Sequence, residues 1–231
     1  MGQLLYAGTV SREEEESTGE NMNAIIFDLD GVLVFTDRYH YQAWKQLADR
    51  LGIYFDESIN NRLRGVSRMD SLEIILERSA VRYSQAEKEK FAEEKNEHYR
   101  ELLASMRPSD VSTDVRETLD ELARRGYRLA IGSSSKNTRF ILGQVGLMER
   151  FEAISDGTNI LHSKPDPEVF LKAAEFLGEE PSNCIVVEDA LAGIDAAKAA
   201  GMTAVGIGDA ALYDRTDISI GRFKELLEKL S

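Results

Sequence analysis

Short apolar runs alternate with amphipathic stretches along most of this chain. Ala24-Ile25-Ile26-Phe27 is an unbroken apolar run, too short for a buried helix, and reads as a strand covered on both faces. From Val115 onward the alternation is regular. Helix Val115–Arg125 leads through Gly126 into strand Tyr127–Ile131. A helix starting near Lys136 precedes strand Glu152–Ile154, and helix Pro167–Leu177 precedes strand Cys184–Val187. Helix Ala190–Ala200 ends at Gly201 and hands over to strand Thr203–Ile207. Strands joined by helices of this length pair in parallel, because each crossover returns the chain to the same sheet edge. The expected fold is α/β, a doubly wound parallel-sheet (Rossmann-like) core.

The stretch between the first strand and Pro108 breaks this rhythm and is helical. Ala43, Trp44, Leu47 and Leu51 share one helical face within Tyr39–Leu51, as do Leu72, Ile75 and Leu76 within Ser71–Ser79. Ser84, with Glu87 three residues on, has the form of a capping box for a long polar helix reaching Leu103. A helical block inserted straight after strand one sits over the carboxyl edge of the sheet. The predicted organisation is a core of residues 22–35 and 108–231 carrying an inserted α-helical cap domain, residues 36–107. Residues 1–21 contain Glu13-Glu14-Glu15-Glu16 and no apolar face, and are expected to form a disordered acidic extension.

The formal net charge of −13 narrows the partners. Such a chain has no electrostatic reason to bind nucleic acid or an anionic membrane, and handling phosphate requires local positive charge or a cation. Cys184 is the only cysteine, so no intrachain disulfide forms, which fits a reducing cytoplasm. Its place in an apolar strand marks it as an inert buried thiol. No apolar run reaches membrane-spanning length and no signal-peptide pattern is present. A cytoplasmic protein is expected.

Candidate chemistry gathers at the strand ends. Asp28 and Asp30 stand two apart, so on extended backbone they point to one side. They fall at the carboxyl end of the first strand, where open α/β sheets bind ligands. Two carboxylates crowded there repel each other unless a cation is present. Strand Tyr127–Ile131 empties into Gly132-Ser133-Ser134-Ser135-Lys136-Asn137, whose hydroxyls, backbone N–H groups and following helix suit a phosphate oxygen. Ser163-Lys164-Pro165-Asp166-Pro167 presents one lysine from a loop held by two prolines, and Glu188-Asp189 ends another apolar strand. Hard oxygen donors with few protein ligands favour Mg²⁺, which takes substrate phosphate as a further ligand. Taken singly, these features read as a solvated strand end, a helix cap, a surface lysine and an N-cap. Their joint placement at successive strand ends is what raises them above those readings.

Asp28-Leu29-Asp30-Gly31-Val32-Leu33, the Ser133 loop, Lys164-Pro165 and Glu188-Asp189 resemble the four motifs of the haloacid dehalogenase-like superfamily, over essentially all of residues 22–231. Within it, the chain is similar to the β-phosphoglucomutase branch through His40 and Trp44, Gly65-Val66-Ser67-Arg68, Lys95-Asn96 and Ser135-Lys136-Asn137. The resemblance implies a monomeric Mg²⁺ enzyme acting on a small phosphorylated sugar. By it, Asp28 is the nucleophile that becomes an aspartyl phosphate, and Asp30 is the acid and base. The metal would be held by Asp28, the Asp30 backbone carbonyl and Asp189, with Glu188 as a further ligand or support. Ser133 and the N–H of Ser134 would hold the transferring phosphoryl group, and Lys164 would offset charge. Arg68, Ser135, Lys136 and Asn137 would take the phosphate that is not transferred. Thr36 resembles a hinge, His40 and Lys95 match cap positions that align Asp30 on closure, and Gly65 and Trp44 belong to the same substrate side.

Taken alone, His40 reads as a locally bonded cap histidine, Lys95 as a solvated helix charge and Trp44 as cap core. His98 and His162 carry no motif and read as surface. A sugar hydroxyl arriving at the aspartyl phosphate gives a mutase and water gives a phosphatase; both stay open, as more remotely does a catalytically silent binding module. Phe35 in place of an acid, Thr113-Asp114 in place of Pro-Gly and Ala190 in place of Ser depart from the family pattern without removing a catalytic group.

Overall fold

The computed structural model describes residues 22–63 and 66–230, so the 1–21 extension and Gly65 lie outside the described residues. β1 (Ala24–Phe27) is followed by α1 (Asp37–Arg50), α2 (Glu57–Asn61), α3 (Arg68–Leu76) and α4 (Gln85–Leu103). Alternation then sets in with α5 (Thr113–Arg124), β2 (Arg128–Gly132), α6 (Thr138–Gln144), β3 (Ala153–Ser155) and α7 (Glu168–Leu177). It continues through β4 (Cys184–Glu188), α8 (Leu191–Ala199) and β5 (Thr203–Gly206) to a short β6 (Ile218–Ser219) and α9 (Leu226–Lys229). All neighbouring strands pair in parallel in the order β3-β2-β1-β4-β5-β6. The expected doubly wound sheet is therefore observed. β6 was not foreseen: its two residues are too few to carry a period.

Side-chain alternation along the strands divides the core into two layers. Ile25 and Phe27 pack with Leu119 and Leu122 of α5 on one face. Ala24 and Ile26 meet Phe170 and Ala173 of α7 and Ile194 of α8 on the other. Each large side chain buried in this way contributes about 1.5–3 kcal/mol. Cys184 lies in the second layer, buried as expected.

The helices after β1 hold a cluster of their own, built on Trp44, Leu47, Phe55, Leu72, Ile75 and Phe91. Tyr39, Ala43, Tyr99 and Leu103 instead join the first core layer. Helices α1 and α4 thus root the helical block on the sheet. The capping box of α4 forms as its sequence requires: Ser84 N–H donates to Glu87 Oε2 at 2.8 Å, and Glu87 N–H donates to Ser84 Oγ at 3.4 Å. The chain order reverses at β1, between β2 and β4, which opens a crevice at the carboxyl ends of the strands.

Candidate active site

Asp28 leaves β1 with its N–H donated to the Val187 carbonyl at 2.9 Å, so its side chain stands beside the end of β4. Glu188 and Asp189 follow there. Ligand oxygens of Asp28, Glu188 and Asp189 all lie within 4.8 Å of one another. Two glycines make that crowding possible. A Cβ on Gly31, whose φ is +83°, would stand 2.0 Å from Asp189 Oδ2, and one on Gly193 would stand 2.1 Å from Glu188 Oε1. Three hard oxygens packed against bare backbone fit a small divalent cation such as Mg²⁺.

Lys164, buried, reaches the same acids. Its Nζ ion-pairs with Asp28 Oδ1, lies 3.4 Å from Glu188 Oε2, and sits 4.6 Å from the centroid of the Phe170 ring. Burial alone would lower its pKa, but the charges of Asp28 and Glu188 outweigh that and hold it above the usual lysine value. Burial raises Glu188 well above the usual carboxylate range; the charge of Asp28 adds to this and Lys164 opposes it.

The Ser133 loop turns over the end of β2. Ser133 N–H donates to the Ser155 carbonyl at 3.1 Å, Ser135 N–H to Ser133 Oγ at 3.3 Å, and Asn137 N–H to Ser135 Oγ at 3.2 Å. Lys164 N–H donates to Ser134 Oγ at 3.5 Å, which ties the lysine loop to the serine loop. Asn137 Nδ2 donates to Asn96 Oδ1 on α4 at 2.9 Å, and both residues are buried. That contact joins sheet edge and helical block.

The helical side corrects the readings that Lys95 and His40 give when taken alone. Lys95 is not a solvated charge; it is 4% exposed. Its Nζ stands 3.0 Å from His40 Nδ1, 4.4 Å from the Tyr99 ring centroid and 4.7 Å from that of Trp44. Burial, then the Arg68 charge, lowers its pKa to about 7. His40 is bonded across the fold rather than locally. Burial, then Lys95 and Arg68, hold its pKa well below 6.5, so the ring is neutral. His40 stacks on Tyr99 at 4.1 Å. The Tyr99 hydroxyl donates to Thr36 Oγ1 at 3.1 Å, and Thr36 donates to Asp30 Oδ1. Burial raises the Asp30 pKa to about 7, with the Thr36 hydrogen bond opposing and the Asp28 charge adding.

Arg68 opens α3 and pairs with Glu93 at 3.6 Å. Trp44 belongs to the apolar cluster, as its spacing indicated, yet it also lines the cavity. His98 is half-buried beside Glu101 rather than fully exposed, whereas His162 is exposed. Among the described candidates, Asp28, Asp30, Thr36, His40, Trp44, Arg68 and Lys95 line one cavity of about 740 Å³. Ser133, Ser134, Ser135, Lys136, Asn137, Lys164, Glu188 and Asp189 line the same cavity. Asn96, named with Lys95 in the family resemblance, also lines it, as does Tyr99, which was not singled out from the sequence. The signal for Tyr99 was its place one helical turn after Lys95.

Fold and cavity together define an α/β enzyme that handles phosphate esters. Residues 22–201 match the family model of haloacid dehalogenase-like hydrolases, and the chain belongs to that family. It is 39% identical over 211 residues to the β-phosphoglucomutase of Bacillus subtilis (strain 168), covering 90% of this chain and 93% of that protein. It is 32% identical over 189 residues to the fructose-1-phosphate phosphatase YqaB of Escherichia coli (strain K12), covering 81% and 97%. The crystal structure of β-phosphoglucomutase from Clostridium difficile matches with a TM-score of 0.85 at 37% identity, over 90% of this chain and 95% of that one. The similarity therefore spans phosphotransferases and phosphatases. No helix among the described residues is long and apolar enough to cross a membrane.

Proposed function

We propose that this enzyme is an Mg²⁺-dependent mutase that interconverts β-glucose 1-phosphate and glucose 6-phosphate through the 1,6-bisphosphate. One observation carries the reading: the Arg68 guanidinium of the helical block lines the same cavity as the acidic edge of the sheet. A phosphatase for small esters needs one anion site. A mutase needs two, because the bisphosphate must bind with either phosphate over the nucleophile.

In this reading Asp28 attacks phosphorus in line, and the P–O bond to the sugar breaks as Asp30 gives its proton to the leaving oxygen. The other hydroxyl of the sugar then returns its proton to Asp30 and takes the phosphoryl group from Asp28. Mg²⁺ would neutralise phosphoryl charge beside Asp28, the Asp30 carbonyl and Asp189, with Glu188 in support. Ser133, the Ser134 N–H and the charged Lys164 would cradle the phosphoryl oxygens. Arg68, with its bidentate fork, would grip the idle phosphate with Ser135, Lys136 and Asn137. Phosphate monoesters hydrolyse so slowly that enzymes supply up to about 10²¹-fold acceleration, which demands such a preorganised electrostatic cradle.

Residues 36–107 would act as the cap, hinged near Thr36, whose closure excludes water and so favours a sugar acceptor. The partner is a small phosphorylated sugar, and the working unit a cytoplasmic monomer. Identity to the B. subtilis mutase supports the choice. The second reading, a sugar-phosphate phosphatase, is favoured by the similarity to YqaB and by the Glu93 that already faces Arg68. Phosphorus NMR on protein, Mg²⁺, β-glucose 1-phosphate and trace bisphosphate separates them. Glucose 6-phosphate is expected; stoichiometric inorganic phosphate without it would establish the phosphatase.

A further inference from the structure

We infer that Gly157 is a positioning residue for phosphoryl transfer: having no side chain, it lets the turn after β3 press against the backbone of Ser134, Ser135 and Lys136 and hold the phosphate cradle in place. The inference rests on the Ser133 loop cradling the transferring phosphoryl group, and is independent of whether the acceptor is a sugar or water.

β3 ends in an acid that the proposed reaction does not use. Asp156 is fully buried, and its Oδ1 accepts from the Thr158 N–H at 2.9 Å and from the Thr158 hydroxyl at 2.5 Å. The Asp156 N–H donates to Asn159 Oδ1 at 3.2 Å, and the Asn159 N–H donates back to the Asp156 carbonyl at 3.1 Å, which closes residues 156–159 into a turn. Arg139 of α6 lies 3.5 Å from Asp156 Oδ2 and donates to the Ile154 carbonyl at 3.2 Å, so the helix after the serine loop is strapped to the same strand end. Gly157 is buried inside this turn and lines the cavity. Its N–H donates to the Ser135 carbonyl at 3.1 Å, which the Thr138 hydroxyl also bonds at 2.9 Å. A Cβ on Gly157 would stand 2.4 Å from the Ser134 carbonyl oxygen and 2.9 Å from the Lys136 backbone nitrogen. Both are backbone atoms, so no rotamer change relieves the contact. The Ser134 carbonyl would have to retreat by more than about half an ångström, and the peptide groups on either side would move with it. Ser133 is tied to the same strand end through the Ser155 carbonyl, so the whole cradle takes its position from β3.

Gly157→Ala tests this. The substrate is p-nitrophenyl phosphate, which carries no second phosphate, so a change at Lys136 is not read. Because a misplacement of about 1 Å can cost about 10²-fold, the expected loss in kcat/KM is about 10- to 100-fold. Orthovanadate, which takes the five-coordinate geometry of the group in transfer, should inhibit more weakly by the same factor. Inhibition by inorganic phosphate should change by under about three-fold, since the ground-state ion tolerates a displaced cradle. A substitution that merely loosened the fold would not separate the two inhibitors. Thr158→Ala, at an exposed position, removes one of the two bonds that Thr158 makes to Asp156 and should weaken kcat/KM and vanadate inhibition together, by about three-fold. It carries the test if Gly157→Ala does not fold. Unchanged kcat/KM, or equal weakening of vanadate and phosphate, would overturn the proposal. Ser133→Ala checks the underlying reading and should lose at least about 10²-fold. Full activity in that variant would remove the serine loop from the reaction; a loss there with none in Gly157→Ala would sink the inference alone.

Discussion

Two buried lysines line this cavity, and their surroundings are opposite. Lys164, from the sheet side, pairs with Asp28 and reaches Glu188, so its charge is held. Lys95, from the helical side, meets a neutral imidazole and two aromatic faces, with Arg68 repelling it, and its pKa falls to about 7. The sheet edge supplies its lysine with counter-charge from its own carboxylates. Lys95 forms no ion pair among the described residues; Arg68, itself paired with Glu93, repels it more than Asp30 attracts it, which is the condition of a surface that takes further counter-charge from a ligand. Burial is the same in the two cases; the difference lies in whether carboxylates come with it.

The largest expected effect attacks the sheet side. Asp28→Asn keeps the shape and the contact with Lys164 but removes the nucleophile. Phosphoryl transfer should fall by on the order of 10⁴-fold or more, with circular dichroism unchanged. Retained turnover would remove Asp28 from the reaction.

Stability separates the lysines directly. Lys164→Met leaves Asp28 and Glu188 buried with no cation, and should cost about 3 kcal/mol in urea unfolding. Millimolar Mg²⁺ should restore part of that loss, because an ion bound among the acids stabilises only the folded state. Lys95→Met removes a cation that forms no ion pair among the described residues and replaces it with an apolar chain of similar length. Stability near neutral pH should rise or change by less than about 1 kcal/mol. Equal losses in the two variants would abolish the contrast.

Arg68→Ala probes the ligand-dependent side. Removing a bidentate anion contact should weaken bisphosphate binding by about 10-fold or more, while hydrolysis of a small phosphate ester is spared. Calorimetry with the bisphosphate and ester kinetics together read this difference. Parallel losses would mean that Arg68 serves the transferring phosphate, or the fold, and that no second anion site exists.

The two sides also differed in how much of them the sequence revealed. Asp28, Asp30 and Glu188-Asp189 stand at strand ends, and strand periodicity places strand ends, so their convergence on one sheet edge followed from the alternation; Lys164 comes from the loop between β3 and α7. Lys95 and Tyr99 stand inside a long polar helix whose composition says nothing about which face is covered. Taken alone Lys95 therefore reads as solvated, and only the family resemblance set it on the site; in the fold its amine meets His40 of α1. The Asn96–Asn137 contact escaped for the same reason: it joins residues 41 apart on elements whose packing no local pattern encodes. β6 depends on its neighbour for definition, pairing Val205 with Ile218 over two residues.

The smallest expected effect is a pH dependence of stability, and here the lysines act with opposite sign. Lys95 titrates at about 7 when folded and near 10.5 when unfolded. Between those values the unfolded chain holds a proton that the folded chain lacks, so stability rises with pH across that window. His40, also depressed, adds a rise that ends near its ordinary 6.5. Lys164, raised above 10.5, contributes stability that is fully present below 10.5 and is lost as pH climbs through its folded value. Urea unfolding of the wild type and Lys95→Met at about pH 8 and about pH 9.5 isolates the first contribution, since His40 and Lys164 are nearly constant there and Asp30, raised to about 7, has given up its proton. The variant's advantage should be greatest at the lower pH and shrink toward the higher. A difference that stays flat would mean that Lys95 keeps its proton in the folded protein, and the helical side would then hold a full charge without a carboxylate beside it.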